Sequence, residues 1–115
     1  MLYFKAEEFD CKCSYPDCDA PHIDLKFLAL ADTLRARWGK PLVVNSGTRC
    51  RRHNEAVGGS PLSQHCLGMA ADFRTSDRAE SALLAKLGRD LGFGGVGIYE
   101  TWVHLDLGPK RDWEI

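Results

Sequence analysis

The sequence lacks a long apolar segment and any marked excess of charge of one sign. Its 115 residues include 15 basic and 16 acidic side chains, which gives a formal net charge of −1. A nearly neutral chain offers no general electrostatic reason to bind nucleic acid, so no nucleic-acid partner is expected. No apolar run approaches the roughly 20 residues that a helix needs to span a bilayer, so no membrane partner is expected either. A local cluster of arginines could still bind an anionic ligand: Arg49, Arg51 and Arg52.

The first residues also lack the apolar stretch of a secretion signal. Lys5, Glu7 and Glu8 stand where a signal peptide needs hydrophobic residues. We therefore expect synthesis in the cytoplasm without a signal peptide. The length suits a single domain, residues 1–115, with one hydrophobic core. The oligomeric state is left open, with a monomer favoured.

The five cysteines cannot all pair within one chain, because their number is odd. Three of them lie in the N-terminal segment, residues 1–23: Cys11, Cys13 and Cys18. Cys50 could complete a four-thiolate zinc site with these three, or one or two disulfides could form after export. The segment has little apolar periodicity, so we expect its thiols to attach it to the domain. Cys66 is expected to be a small buried side chain and not a nucleophile.

The rest of the chain alternates between helical and strand patterns. One helix is predicted between an N-cap at Asp24 and an end at Gly39, and a second between Ser76 and Gly92. Strands are predicted at 42–44, 70–73 and 102–107. The glycine-rich residues 45–64 predict a long loop. The expected class is α+β, with about two helices on a small, mostly antiparallel sheet.

The apolar faces of the two helices follow from spacing. On the first helix the predicted face is Leu25, Leu28, Ala31, Leu34 and Trp38. On the second helix it is Ala79, Leu83, Leu87 and Leu91.

Two separated segments, 63–72 and 102–106, contain a candidate set of metal ligands. The set is His65, Asp72 and His104, and two imidazoles with one carboxylate are natural zinc ligands. Three protein ligands leave a position for water, as in catalytic zinc sites. Spacing alone leaves other roles open. His65 could lie in a turn, Asp72 could pair with an arginine, and His104 could be a half-buried histidine with a hydrogen-bond partner.

Three motifs in this order resemble the M15 family of zinc D-Ala-D-Ala carboxypeptidases, especially its short-chain branch. They are Ser46-Gly-Thr-Arg49, Ser63-x-His-x-x-Gly-x-Ala-x-Asp72 and Trp102-x-His-x-Asp106. The likeness extends from Phe9 to Trp113. The wider group includes vancomycin-resistance dipeptidases, phage L-alanyl-D-glutamate endolysins and the hedgehog signalling domain.

The resemblance implies roles for individual residues. His65, Asp72 and His104 match the zinc ligands. Arg49 matches an arginine that faces the substrate carboxylate or the polarised carbonyl, a role suited to a guanidinium fork. Ser63 matches a position near substrate, although a turn residue is an equal alternative. Trp102 is expected to line the cleft, with a core position as its alternative.

The general base is less clear from the sequence. In several relatives an acid lies three residues before the last zinc histidine, where this chain has Thr101. On an undistorted strand Glu100 and Asp106 would both share the face of His104. We expect Glu100 to be the base and Asp106 to orient or stabilise the site. Asp106 remains the alternative base.

The implied function is zinc-dependent hydrolysis of peptide bonds in bacterial peptidoglycan, in stem peptides or crosslinks. The activity would be of the carboxypeptidase or endopeptidase type, and the bond that is cut is left open. A phage or prophage lysis protein is one context, in which the chain reaches the wall after holin action, lysis or virion delivery. The alternative is a non-catalytic zinc module of the hedgehog type that binds a partner or the wall.

Overall fold

The computed structural model describes residues 3–60 and 63–115. In these residues the chain forms an α+β domain with three α-helices and a five-stranded sheet, which confirms the predicted class. The helices are α1 (Leu25–Trp38), α2 (Arg51–Ala56) and α3 (Arg78–Leu91). The strands are β1 (Val44–Ser46), β2 (Ala70–Arg74), β3 (Gly95–Ile98), β4 (Trp102–Asp106) and β5 (Arg111–Glu114). Among the described helices, none is long and apolar enough to cross a membrane.

The sheet is mixed, with the strand order β1-β2-β4-β3-β5. All neighbouring strands are antiparallel except β3 and β5, which are parallel. The register of β2 on β4 sets Asp72 directly opposite His104. Directly opposed residues share a face of the sheet, so these two side chains meet there.

The ends of the two long helices follow the predicted capping residues closely. The Asp24 carboxylate accepts hydrogen bonds from the backbone N–H groups of Lys26 and Phe27, and Gly39 ends α1 with a φ of 78°. Helix α3 ends at Gly92, as predicted, but its N-cap is Asp77 and not Ser76. A difference of one residue is within the uncertainty with which a helix end can be placed.

The buried face of α1 agrees with the prediction at Leu28, Ala31 and Leu34, whereas the buried face of α3 is rotated from the predicted one. Leu25 is 76% exposed and Leu83 is 63% exposed, whereas Phe27 and Leu84 are fully buried. On α3 the buried positions are Ser81, Leu84, Ala85 and Gly88. A Cβ added to Gly88 would lie 2.7 Å from the Leu105 side chain, so small residues let this helix approach the sheet. The face of α3 that packs on the sheet is therefore set by small residues that allow close approach, and not by the spacing of its leucines.

The segment predicted as a long loop contains regular structure. Strand β1 begins at Val44, two residues later than predicted, and α2 follows within the same segment. Two residues of that segment, Pro61 and Leu62, lie outside the described residues. Helix α2 has only six residues and almost no apolar periodicity, so the sequence pattern did not reveal it.

Strands β3 and β5 were not predicted. The glycine-rich residues Gly95–Ile98 form a buried strand, although three glycines in the run 94–97 are untypical of a strand. A Cβ on Gly95 would lie 2.3 Å from the Asp106 carboxylate, and one on Gly97 would lie 2.4 Å from the Trp113 ring. Glycine is therefore needed where these two side chains cross β3.

The N-terminal segment packs into the core, contrary to the expectation that it could not attach by burial. Phe4, Phe9 and Ile23 are buried, and Phe9 is 0% exposed. The Phe9 ring contacts Phe27 and Phe73 at centroid distances of 6.0 and 6.4 Å. A few large side chains at irregular spacing anchor the segment without producing a periodic pattern.

Candidate active site

Three side chains from three elements converge on one point. His65 lies on the 3-10 turn Gln64–Leu67, Asp72 on β2 and His104 on β4. His65 Nε2 is 3.2 Å from His104 Nδ1 and 3.3 Å from Asp72 Oδ1. His104 Nδ1 is 3.1 Å from the same Asp72 oxygen. All three ligand atoms lie within 4.8 Å of one another, so the set fits a single metal ion.

The second ring nitrogen of each histidine has its own hydrogen-bond partner. The Gly47 carbonyl lies 2.6 Å from His65 Nδ1, and Asp106 Oδ2 lies 2.6 Å from His104 Nε2. These partners orient the rings so that His65 Nε2 and His104 Nδ1 face the shared point. A carboxylate or carbonyl behind a ligating histidine is a regular feature of metal sites.

Asp106 is fully engaged behind His104. Its carboxylate is 0% exposed and accepts two bonds from Arg111, from Nη2 at 2.7 Å and Nη1 at 3.2 Å. The backbone N–H of Gly108 donates to the same group at 2.9 Å. Sequence reasoning missed Arg111. The available signal was an arginine placed just after the turn Gly108-Pro109 that follows the last motif.

The ionisation of these groups reflects burial and mutual contact. Burial would raise the pKa of Asp72, but hydrogen bonds from His104 and His65 outweigh it and hold that pKa below its usual range. Burial would likewise raise the pKa of Asp106, and hydrogen bonds from His104 and Arg111 hold it low. Burial would lower the pKa of His104, whereas its bonds to Asp106 and Asp72 raise it. Both carboxylates are therefore ionised at neutral pH.

Arg49 reaches the metal-ligand set through Asp72. Its Nη2 lies 3.2 Å from Asp72 Oδ2, while Nε donates to Ser46 Oγ and Nη1 to Asn54 Oδ1, each at 3.1 Å. Asn54 is buried on α2 and donates in turn to the carbonyl of Ser60 at 2.7 Å. The guanidinium is thus fixed by three partners. Asn54 was not among the predicted site residues.

An open cleft of about 590 Å³ lies over the metal-ligand set. Arg49, Ser63 and Trp102 line it, as predicted for cleft residues. Ser63 also accepts a hydrogen bond from the backbone N–H of His65 at 3.1 Å, so it serves the turn as well. Cys66, beside His65, is not among the residues that line the cleft, and burial raises the pKa of its thiol.

Aromatic side chains form one wall of the cleft. Tyr99 stacks on Trp102 at a centroid distance of 4.4 Å, and Trp113 Nε1 donates to the Tyr99 hydroxyl at 2.9 Å. Because that oxygen accepts from Trp113, its own hydrogen is available to another acceptor. Neither Tyr99 nor Trp113 was predicted as a site residue: Tyr99 directly follows β3 and Trp113 lies on β5, two strands that were not predicted.

The structure contradicts the prediction that Glu100 is the general base. Glu100 lies in the turn between β3 and β4, its side chain is 71% exposed, and it pairs with Arg78 at 2.9 Å. It does not line the cleft. The prediction assumed a continuous strand up to His104, but β4 begins only at Trp102, so the alternation fails. Asp106 is equally poor as a base, because its oxygens are occupied.

Two histidines and one aspartate at the floor of an open cleft are the ligand set of a hydrolytic metal centre. The family model described as Peptidase M15 matches residues 2–106. The chain therefore belongs to the M15 peptidases, which are metallopeptidases. No curated protein matches the chain.

Proposed function

We propose that this peptidase uses zinc to hydrolyse peptide bonds in the stem peptides or crosslinks of bacterial peptidoglycan. The observation that carries the proposal is the convergence of His65, Asp72 and His104 below an open cleft. A zinc ion bound there would polarise the scissile carbonyl and lower the pKa of water. The oriented rings of His65 and His104 fit that ion, because the partner behind each ring leaves the other nitrogen facing the point that they share with Asp72.

Arg49 and Tyr99 are the groups of the cleft best suited to substrate. Arg49 is held by Ser46, Asn54 and Asp72, so its guanidinium is already positioned to bind a carboxylate or a developing oxyanion. Tyr99 can donate its hydroxyl hydrogen to substrate, because Trp113 occupies the oxygen as a donor. The stacked Tyr99 and Trp102 offer an apolar wall to the peptide.

The charges of the cleft support an anionic substrate. Arg49 and Arg111 balance Asp72 and Asp106 among the charged residues that line it. A divalent cation would therefore make the loaded cleft positive. Stem peptides carry free carboxylates, and a positive cleft would attract them. The volume of about 590 Å³ is within the range of sites that hold small ligands, which suits a short peptide rather than a folded chain.

We further propose that the chain is made in the cytoplasm as a monomer and reaches the wall after holin action, lysis or virion delivery. The enzyme would then meet its substrate only when the membrane barrier is lost.

One observation favours a second candidate, a non-catalytic module that binds the wall. Among the described residues that line the cleft, the carboxylates are Asp72 and Asp106, and both are engaged. The described part of the cleft therefore offers no free carboxylate as a general base. A zinc module of the hedgehog type would need none.

Digestion of purified sacculi distinguishes the two candidates. The zinc-loaded chain is incubated with sacculi, and the soluble products are identified by mass spectrometry, with His104→Ala as the inactive control and Glu100→Gln as the surface control. New peptide termini released by the wild type and by Glu100→Gln, but not by His104→Ala, support the peptidase and name the bond. Retention of the chain on sacculi without new termini would instead identify a binding module.

A further inference from the structure

Four cysteines form a cluster away from the cleft. The sulfurs of Cys11, Cys13, Cys18 and Cys50 all lie within 4.8 Å of one another, although Cys50 is distant from the others in sequence. The N-terminal segment supplies three of them, and the fourth is the N-cap residue of α2. No disulfide joins cysteines in the described residues.

The sulfur separations match a tetrahedral metal site. Cys50 Sγ is 3.9 Å from Cys11 Sγ and 3.8 Å from Cys13 Sγ. In a tetrahedron with zinc–sulfur bonds of about 2.3 Å, neighbouring sulfurs are about 3.8 Å apart. A disulfide bond is only about 2.0 Å long, so each observed separation is nearly twice that of a covalent pair. The arrangement fits four ligands around one ion.

The surroundings of the sulfurs also suit thiolates. The backbone N–H of Cys50 donates to Cys11 Sγ at 3.5 Å, and the N–H of His53 donates to Cys50 Sγ at 3.3 Å. Hydrogen bonds to sulfur stabilise the charge that a metal-bound thiolate carries.

We propose that Cys11, Cys13, Cys18 and Cys50 bind a second, structural zinc ion that clamps the N-terminal segment to the start of α2. A four-cysteine shell fills the coordination sphere, so this ion has no position for substrate and differs from the histidine site. The clamp fixes Cys50, which directly follows Arg49 and is the N-cap of the helix that contains Asn54. Arg49 donates a hydrogen bond to Asn54 beside the cleft. Metal binding at the cysteines thereby supports the geometry of the substrate-binding arginine.

The exposed turn of the cluster is held against α2 by one further side chain. The Arg52 guanidinium lies 4.1 Å from the centroid of the Tyr15 ring and 3.1 Å from Asp17 Oδ1. Arg52 is exposed, and contacts of an exposed cation contribute only about 1 kcal/mol or less. They assist the approach of the turn, whereas four metal–sulfur bonds would fix it.

Metal counting on the full chain tests the proposal. The protein is purified from zinc-supplemented medium, and its metals are measured by mass spectrometry. Cys18→Ser is the main variant because Cys18 is exposed, and Cys66→Ser is the matched control outside the cluster. We expect one zinc equivalent fewer in Cys18→Ser and no loss in Cys66→Ser. The double variant His65→Ala/His104→Ala should keep the cysteine-bound equivalent.

Cobalt substitution gives a second readout, which is already informative in the wild type. Cobalt bound to thiolates produces intense sulfur-to-metal charge-transfer absorption, which histidine and carboxylate ligands do not give. We expect this band in the wild type and in His65→Ala/His104→Ala, and its loss or marked weakening in Cys18→Ser. Unchanged zinc in Cys18→Ser, a disulfide in the native protein, or iron at the cysteines would each overturn the proposal. If only the histidine site fails to bind zinc, His65→Ala/His104→Ala will contain as much zinc as the wild type, and the cysteine-bound zinc will still be lost in Cys18→Ser. The two proposals can therefore fail separately.

Discussion

At the scale of single residues, the roles of the two candidate acids differ sharply. Glu100 is an exposed partner of Arg78, and Asp106 is a buried partner of His104 and Arg111. We expect Glu100→Gln to keep its kcat/KM within about twofold of the wild type, because an exposed ion pair contributes at most about 1 kcal/mol. Steady-state hydrolysis of a stem peptide measures this. A tenfold or larger loss in kcat with zinc retained would return the base role to Glu100.

Arg111 is expected to act on the metal through Asp106 and His104. Arg111→Gln removes both bonds that Arg111 donates to the Asp106 carboxylate, and we expect zinc affinity to fall by about 10- to 100-fold, as for other partners behind a ligating histidine. Competition with a chelator of known affinity measures the loss. Arg89→Gln is the matched control, because Arg89 on α3 pairs with Asp112, which lies next to Arg111 on β5 but does not contact Asp106. Equal affinity in the two variants would show that Arg111 has no part in positioning His104.

At the scale of elements, β3 must remain free of side chains under Asp106. Gly95→Ala would place a Cβ 2.3 Å from both carboxylate oxygens of Asp106, so the carboxylate has to move away from His104. Gly97→Ala is the comparison, because its Cβ meets the Trp113 ring instead. We expect zinc affinity to fall more in Gly95→Ala than in Gly97→Ala, as measured by the same chelator competition. The reverse order would mean that the Asp106 position is not set by β3.

The N-terminal segment should contribute to stability through its own apolar side chains. Phe9 is fully buried, so Phe9→Ala is expected to lower the free energy of unfolding by about 3–5 kcal/mol. Tyr3→Ala is the control, because Tyr3 is 49% exposed, and about 1 kcal/mol or less is expected. Urea unfolding followed by circular dichroism gives both values. If the two variants lost equally little, attachment of the segment would rest on the cysteines alone.

The limits of prediction from sequence lie mostly in elements without a local signature. Capping residues act locally, so the start of α1 at Asp24 and the end of α3 at Gly92 could be predicted. Strand β5 pairs in parallel with its direct neighbour β3, although β4 separates the two strands along the sequence, and nothing local in residues 111–114 encodes that partner. The same strand carries Arg111 and Trp113, which is why both site residues were missed. Glu100 was misassigned because a turn interrupted an assumed strand.

At the scale of the whole molecule, the buried carboxylates link stability to pH. The folded-state pKa of Asp106 is held below its usual value, so its stabilising contribution is present above the unfolded pKa of about 3.9 and is lost as pH falls through the folded value. We expect the melting temperature of chelator-treated protein to fall as the pH is lowered below about 4. Asp106→Asn should show a shallower fall. Identical pH dependence in the two proteins would contradict a stabilising, ionised Asp106.

Hydrolysis by this peptidase is expected to depend on a metal ion held by His65, Asp72 and His104. Its most direct test is the rate of stem-peptide hydrolysis by metal-stripped protein as zinc is added back, with wild type and His104→Ala compared at equal protein concentration. The predicted result is no turnover without metal, recovery in the wild type as zinc is supplied, and no recovery in His104→Ala. Turnover in the stripped wild type, or full recovery in His104→Ala, would contradict the account.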